Sequence, residues 1–68
     1  MRLKELRKKK KLSQLRLATE LNTTQNTISR YETGEREPGI KDLIKLADYF
    51  NVSIDYLLER TDNPQPYK

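Results

Sequence analysis

The sequence predicts an all-α fold in which five short helices surround one small core. Apolar residues recur at intervals of three and four, and several of these runs follow a Ser or Thr that can cap a helix. No segment alternates apolar and polar residues for long enough to form a strand. Because the chain has 68 residues, there is room for one domain with one modest core.

The first two predicted helices are joined by a short basic connection. The first spans about residues 2–10, where Leu3 and Leu6 form an apolar stripe. Ser13 is expected to cap the second helix, and Asn22, which tolerates the left-handed conformation, is expected to end it. The core-facing residues of the second helix are predicted to be Leu17, Ala18 and Leu21.

The third predicted helix extends from a cap at Thr24 to about Thr33, and Gly34 ends it. When successive residues are turned by about 100°, Ile28 and Tyr31 lie together and are expected to face the core. The opposite arc, which has neither an acid nor a bulky apolar residue, carries Gln25, Asn26, Ser29, Arg30 and Thr33.

The fourth and fifth helices complete the predicted domain. The fourth is expected to run from about Ile40 to Phe50, with inward side chains at Ile40, Leu43, Ile44, Ala47 and Phe50. Ser53 is expected to cap a short fifth helix that holds Ile54, Leu57 and Leu58. Since prolines interrupt the chain after Thr61, residues 61–68 are predicted to form a disordered tail or linker beyond a domain of residues 1–60.

Several function classes lack the residues that they need. The sequence has no His, no Cys, no Gly-rich phosphate loop and no nucleophile–base pair, so we expect no enzyme and no cofactor or metal site. No apolar run approaches the roughly 20 residues of a membrane span, and the N-terminus lacks the apolar run of a signal peptide. We therefore expect a cytoplasmic protein without a membrane partner or an evident small-molecule ligand.

Basic residues are concentrated at the N-terminus of a chain whose net charge is +4. The first eleven residues contain seven Lys or Arg and a single acid, Glu5. A basic end suits an anionic partner such as a phosphate backbone, but it equally suits a solvated helix end that keeps the protein in solution. Charge alone therefore does not identify the partner.

The outer arc of the third helix has the residue types that recognise base edges in DNA. Asn and Gln form paired hydrogen bonds with adenine, and Arg does so with guanine. An ordinary solvated face is the alternative, although Asn, Ser and Thr are poor helix formers at exposed positions. Because a short turn joins the second and third helices, residues from about 14 to 33 are predicted to form a helix-turn-helix that places its second helix in the major groove.

Nearly the whole chain, from about residue 3 to residue 60, carries a specific combination of motifs. They are Leu12-Ser13-Gln14, Leu17-Ala18, the run from Thr24 to Gly34, Pro38, and Val52-Ser53-Ile54-Asp55-Tyr56-Leu57-Leu58. Together they resemble the Cro/repressor-type (XRE-like) helix-turn-helix family, which includes phage repressors and many small bacterial regulators. The resemblance implies a compact repressor-like domain that binds a double-stranded DNA operator and regulates transcription, with repression as the expected mode.

The resemblance also implies roles for individual residues. Arg7 and Glu32 match a supporting pair that ties the first helix to the end of the third. Base contacts are expected from Gln25, Asn26, Ser29 and Arg30, although Ser29 also suits a place near the DNA backbone. Phosphate contacts are expected from Gln14, Thr24, Thr27, Thr33 and Arg36, and Gln14 is expected to support the third helix as well.

Four residues depart from the family pattern. Leu15 occupies a position that is usually polar, and it is predicted to point outward, toward a partner or the phosphate side of DNA. Asn22 replaces the usual turn glycine, which Asn can tolerate. Glu35 and Glu37 place acids in the loop after the third helix, where relatives often carry lysines, so only Arg36 is expected to contact phosphate there.

The chain is expected to act as a homodimer through the region of the fourth and fifth helices. Tyr49 and Tyr56 are predicted to point away from the core, and exposed aromatic residues suggest a self-association surface, although scattered ones are also normal. A dimer would contact two half-sites about one DNA turn apart. The alternative function is a protein-interaction module, such as an antitoxin or adaptor subunit, which Leu15 and the acidic loop favour.

Overall fold

The computed structural model describes residues 1–65, and within that range the chain forms five helices and no strand. The helices are α1 (Leu3–Lys9), α2 (Gln14–Glu20), α3 (Gln25–Thr33), α4 (Ile40–Phe50) and α5 (Ile54–Leu57). The prediction of an all-α, five-helix fold is confirmed. None of the described helices is both long enough and apolar enough to cross a membrane.

Local sequence sets most of the helix boundaries. Ser13, Thr24 and Ser53 each begin a helix, because their hydroxyls accept a hydrogen bond from the backbone N–H three residues ahead. Gly34 and Asn51 end α3 and α4 with φ of 81° and 54°. Gly and Asn are the residues that tolerate this left-handed conformation best.

The core lies where the five helices meet, with α2 packed against α3, α1 against α3, and α4 against α5. Each helix contributes at least one fully buried large side chain, and full burial of a Leu or Ile stabilises the fold by about 1.5–3 kcal/mol. These side chains are Leu3, Leu17, Ile28, Leu46 and Leu57. The fully buried Ile28, together with the nearby buried Tyr31, fixes the rotation of α3 about its axis.

The predicted inward face of α4 is partly wrong. Ile40 and Ile44 are 71% and 45% exposed, whereas Leu46, which was not predicted to face inward, is 1% exposed. Apolar residues occupy more than half of the circumference of α4, so helical spacing alone does not identify the buried part. Packing decides it, and the buried arc is centred near Leu46 and Phe50.

The segment after α5 contacts the beginning of the chain. The Arg2 guanidinium donates hydrogen bonds to the Thr61 carbonyl at 3.3 Å and to the Asp62 carboxylate at 2.9 Å. The backbone N–H of Ser53 donates to the Pro64 carbonyl at 3.2 Å. The division into a domain of residues 1–60 and a tail stays a prediction, and residues 66–68 lie outside the described range.

Candidate nucleic-acid interface

The outer face of α3 is polar and faces solvent. With Ile28 and Tyr31 buried behind it, the side chains of Gln25, Asn26, Arg30 and Thr33 are exposed, and the short side chain of Ser29 is half-buried among them. The structure therefore brings the predicted base-contacting residues onto one face. That face presents amides, hydroxyls and a guanidinium, which together donate and accept hydrogen bonds in the patterns that base edges offer.

Two threonine hydroxyls occupy the N-terminal end of α3. Thr24 accepts a hydrogen bond from the backbone N–H of Thr27 at 3.2 Å, and the two hydroxyl oxygens lie 2.8 Å apart. Thr24 is exposed and Thr27 is half-buried. Hydroxyls beside the positive end of a helix dipole are suited to an anionic oxygen such as that of a phosphate.

Glu32 holds three segments of the chain together. Arg7 on α1 donates to its carboxylate twice, from Nε to Oε2 at 2.6 Å and from Nη2 to Oε1 at 3.1 Å. Gln14, the first residue of α2, donates from Nε2 to Oε1 at 3.0 Å. Arg7 also donates from Nη1 to the Leu12 carbonyl at 2.7 Å. The cluster therefore fixes the C-terminal part of α3 against both preceding helices.

Burial strengthens the interaction between the charged groups of this cluster. The side chains of Arg7 and Glu32 are 10% and 3% exposed. Burial acts to raise the pKa of Glu32, but the hydrogen bonds from Arg7 and Gln14, with the positive charges of Arg7 and Lys4, outweigh it and lower the pKa below its ordinary value. Glu32 is thus held as a carboxylate, and the single acid of α3 is directed away from the outer face.

A second contact joins α3 to α4, and it involves a residue that the sequence did not single out. The Tyr31 hydroxyl donates to Asp42 Oδ2 at 3.0 Å. Burial and this hydrogen bond raise the pKa of Tyr31 above its ordinary value. Lys45, one turn further along α4, donates to the Leu21 carbonyl at 3.0 Å at the end of α2. No local pattern predicts these pairs, because they depend on how α4 lies across α2 and α3.

Arg30 has an acidic neighbour from the loop after α3. Its Nε lies 3.6 Å from Glu35 Oε2, a charge contact that is too long for a hydrogen bond. The two side chains are 48% and 69% exposed. On sequence alone, Glu35 is connected with the loss of an expected phosphate contact and with the alternative function, and it is not paired with Arg30. Arg36, the predicted phosphate contact of this loop, is exposed.

The expectation that Tyr49 and Tyr56 point away from the core is wrong. Both side chains are half-buried and pack against the core. The guanidinium of Arg2 lies 4.4 Å from the centre of the Tyr56 ring, and Lys10 Nζ lies 5.6 Å from that of Tyr49. Both distances are within the range of a cation–π contact. The exposed large apolar residues are elsewhere, at Leu15, Ile40, Ile44 and Leu58.

One of these exposed residues, Leu58, lines a groove beside α4, and two others lie on α4 itself. Ile40 and Ile44 lie one turn apart on α4, next to Leu43. Leu43 and Leu58 line the same open cavity of about 350 Å³ with Met1 and Pro38. Ile40, Ile44 and Leu58, the exposed large apolar residues of α4 and of the end of α5, are together called the α4–α5 patch below. Leu15, on α2, points outward as predicted and is 60% exposed.

Comparison with known proteins identifies relatives of one kind. A family model described as helix-turn-helix matches residues 3–57. The uncharacterised HTH-type transcriptional regulator YqaE of Bacillus subtilis is 41% identical over 66 residues, which cover 97% of this chain and 57% of YqaE. The HTH-type transcriptional regulator ImmR of the same organism is 43% identical over 61 residues, 90% of this chain and 48% of ImmR.

A phage protein also matches. The cryptic phage CTXphi transcriptional repressor RstR of Vibrio cholerae is 36% identical over 66 residues, 94% of this chain and 59% of RstR. The chain spans about half the length of the curated relatives it matches. No solved structure gives a significant match.

Proposed function

Because the chain belongs to the helix-turn-helix family, whose model matches residues 3–57, we propose that it is a transcriptional regulator that binds double-stranded DNA through α3. The observation that carries the proposal is the division of α3 into two faces. Ile28 and Tyr31 hold its inner face in the core, while its outer face is polar and free of acids. The names of the curated relatives support the same function, and one of them, the phage protein RstR, is named a repressor.

In the proposed complex, α3 lies in the major groove and its outer side chains contact base edges. The contacting residues are Gln25, Asn26, Ser29 and Arg30. Residues around this face would contact phosphates and fix the register of the protein on the duplex. They are Gln14, Thr24, Thr27, Thr33 and Arg36.

Gln14 is suited to a double role. Its amide nitrogen carries two hydrogens, of which one is donated to Glu32 at 3.0 Å. The second hydrogen remains for a phosphate oxygen at the start of α2. A phosphate contact through Gln14 would thus be coupled to the position of α3, because both depend on the same Glu32 carboxylate.

Binding of a second copy is proposed at the α4–α5 patch. One short helix contacts few base pairs, whereas a dimer contacts two half-sites about one DNA turn apart. The patch supplies three exposed apolar residues, Ile40, Ile44 and Leu58, which contact with a second copy would remove from water. The proposed contact keeps the predicted region of the fourth and fifth helices but uses these apolar residues in place of Tyr49 and Tyr56.

A selection experiment tests DNA binding. Bound sequences are selected from a random duplex pool, and dissociation constants are then measured on the selected site and on a scrambled site. We expect Arg30→Ala to weaken binding to the selected site and to relax preference at one base pair, by about 1–3 kcal/mol. Arg60→Ala, which removes one positive charge in the segment after α5, is the control. It is expected to change neither the preferred base pairs nor the order of affinity for the two sites. Equal losses on both sites for Arg30→Ala would contradict its role, and failure to enrich any sequence would contradict specific binding.

Sedimentation equilibrium tests the dimer. We expect Ile44→Glu to shift the protein to a monomer and to weaken binding to a site with two half-sites, since it places a charge in the apolar patch. Leu15→Glu makes the same change on α2, outside the patch, and is expected to leave the dimer intact. A wild-type protein that remains monomeric both alone and on its operator would end the dimer proposal.

A further inference from the structure

Glu35 stands beside a residue that the proposed function assigns to base recognition. We propose that Glu35 is a positioning residue that sets the base specificity of Arg30, by holding its guanidinium so that the terminal nitrogens face the groove. This inference rests on the proposed function and adds a residue to it. Glu35 lies outside the helix-turn-helix, in a loop where its charge would otherwise only repel phosphate.

The geometry of the ion pair leaves open the edge of the Arg30 guanidinium that can contact a base. Glu35 Oε2 approaches Arg30 at Nε, the nitrogen nearest the aliphatic stem, at 3.6 Å. Among the described residues, none accepts a hydrogen bond from Nη1 or Nη2 of Arg30. These two nitrogens form the planar fork that matches the O6 and N7 acceptors of guanine. The carboxylate therefore occupies one edge of the group and orients the other.

The loop holds Glu35 in this place through the backbone. Gly34 has φ of 81°, which turns the chain back over the last turn of α3. The Arg36 N–H then donates to the Arg30 carbonyl at 3.3 Å, and the Glu35 N–H donates to Thr33 Oγ1 at 3.4 Å. Because the backbone N–H groups of Glu35 and of the next residue are both anchored to α3, the carboxylate stays within reach of the arginine.

Two physical effects connect this pair to specificity. A long arginine side chain loses rotamer freedom when it binds a base, and an ion pair that already restricts it lowers that loss. The carboxylate also opposes contacts between Arg30 and a phosphate, since both anions would compete for one cation. Phosphate contacts carry no direct sequence information. Glu35 thus favours the base contact over the non-specific one.

Glu37 provides a matched control. It lies two residues further along the same exposed loop and carries the same charge. Within the described residues, it makes no ion pair with Arg30 or with any other cation. Replacing either acid with Gln removes one negative charge near the DNA backbone, so both changes should strengthen binding to all sequences alike. Any effect on base preference then isolates the contact with Arg30.

The test compares dissociation constants on the selected operator and on a variant in which the base pair assigned to Arg30 is replaced. We expect Glu35→Gln to reduce the ratio of the dissociation constants on these two sites by roughly two- to fivefold, the range that exposed ion pairs contribute. Glu37→Gln is expected to leave the ratio unchanged. In an Arg30→Ala background, Glu35→Gln is expected to have no effect on the ratio.

Three results would overturn the inference. Equal ratios of dissociation constants for Glu35→Gln and Glu37→Gln would show that Glu35 affects binding only through its negative charge. A change in ratio that persists without the Arg30 side chain would show that Glu35 acts through another residue. Normal base preference in Arg30→Ala would show that Arg30 does not recognise a base, so Glu35 could not act through it. The proposal that α3 binds DNA would not be affected. Absence of any selected operator would instead contradict the proposed function.

Discussion

α3 contributes one residue to each of two arginine–glutamate pairs, which have the same chemistry and opposite surroundings. Glu32 and Arg7 meet at 2.6 Å with side chains 3% and 10% exposed, and Gln14 completes the hydrogen bonding. Arg30 and Glu35 meet at 3.6 Å with side chains 48% and 69% exposed. Water competes with the second pair and is excluded from the first, so the energies of the two pairs differ greatly. Burial therefore makes one pair a structural connection and leaves the other available for a ligand.

The largest expected effect comes from a substitution that breaks the buried pair. Arg7→Ala should lower the free energy of unfolding by about 3–5 kcal/mol, because it leaves the Glu32 carboxylate buried without its cation. Urea denaturation measures the loss. Arg30→Ala is the matched control and should change stability by less than about 0.5 kcal/mol. Similar losses for the two variants would show that burial does not separate the pairs.

The pH dependence of stability sharpens the comparison. The pKa of Glu32 is lowered in the folded state, so its stabilisation is complete above the ordinary value of 4.5 and is lost as the pH falls through the lower folded pKa. At neutral pH, Glu32→Gln should cost about 1.5–3 kcal/mol, the range for hydrogen bonds to charged groups. The difference in unfolding free energy between wild type and Glu32→Gln should shrink toward acid pH. A constant difference down to about pH 3 would contradict the assignment.

The turn that holds Glu35 against α3 can be strained without removing any side-chain contact. Gly34→Ala should cost about 1 kcal/mol, since a residue with a Cβ is disfavoured at φ of 81° although the space around it is open. Gly39→Ala is the control because its φ of −69° suits any residue. Its poorer helix cap and its less flexible unfolded chain should nearly cancel. Thermal unfolding of both variants compares them, and equal losses would argue against strain at Gly34.

The smallest expected effect concerns the exposed pair. Glu35→Gln should change the free energy of unfolding by less than about 0.5 kcal/mol, because an exposed ion pair contributes little to stability. Circular dichroism melting curves of wild type and variant should therefore nearly coincide. A loss of more than about 1 kcal/mol would assign Glu35 a structural role like that of Glu32 and would remove the contrast between the two pairs.

Much of the helical framework was determined by residues close together in the chain. Ser13, Thr24 and Ser53 begin helices through hydrogen bonds that span three residues, and Gly34 ends α3 through its own backbone preference. The inward placement of Ile28 and the outward placement of Leu15 follow from helical spacing alone. Interactions of this range depend on the local sequence, so the sequence suffices to predict them.

Only the tertiary structure decided which apolar side of α4 is buried and how Tyr49 and Tyr56 pack against the core. Ile40 and Leu46 are equally apolar in the sequence, but the elements packed against α4 bury Leu46 and leave Ile40 exposed. Arg2 and Tyr56 are 54 residues apart, and no periodic pattern relates them. Such contacts depend on the relative placement of whole helices, which is fixed by the packing of the complete core.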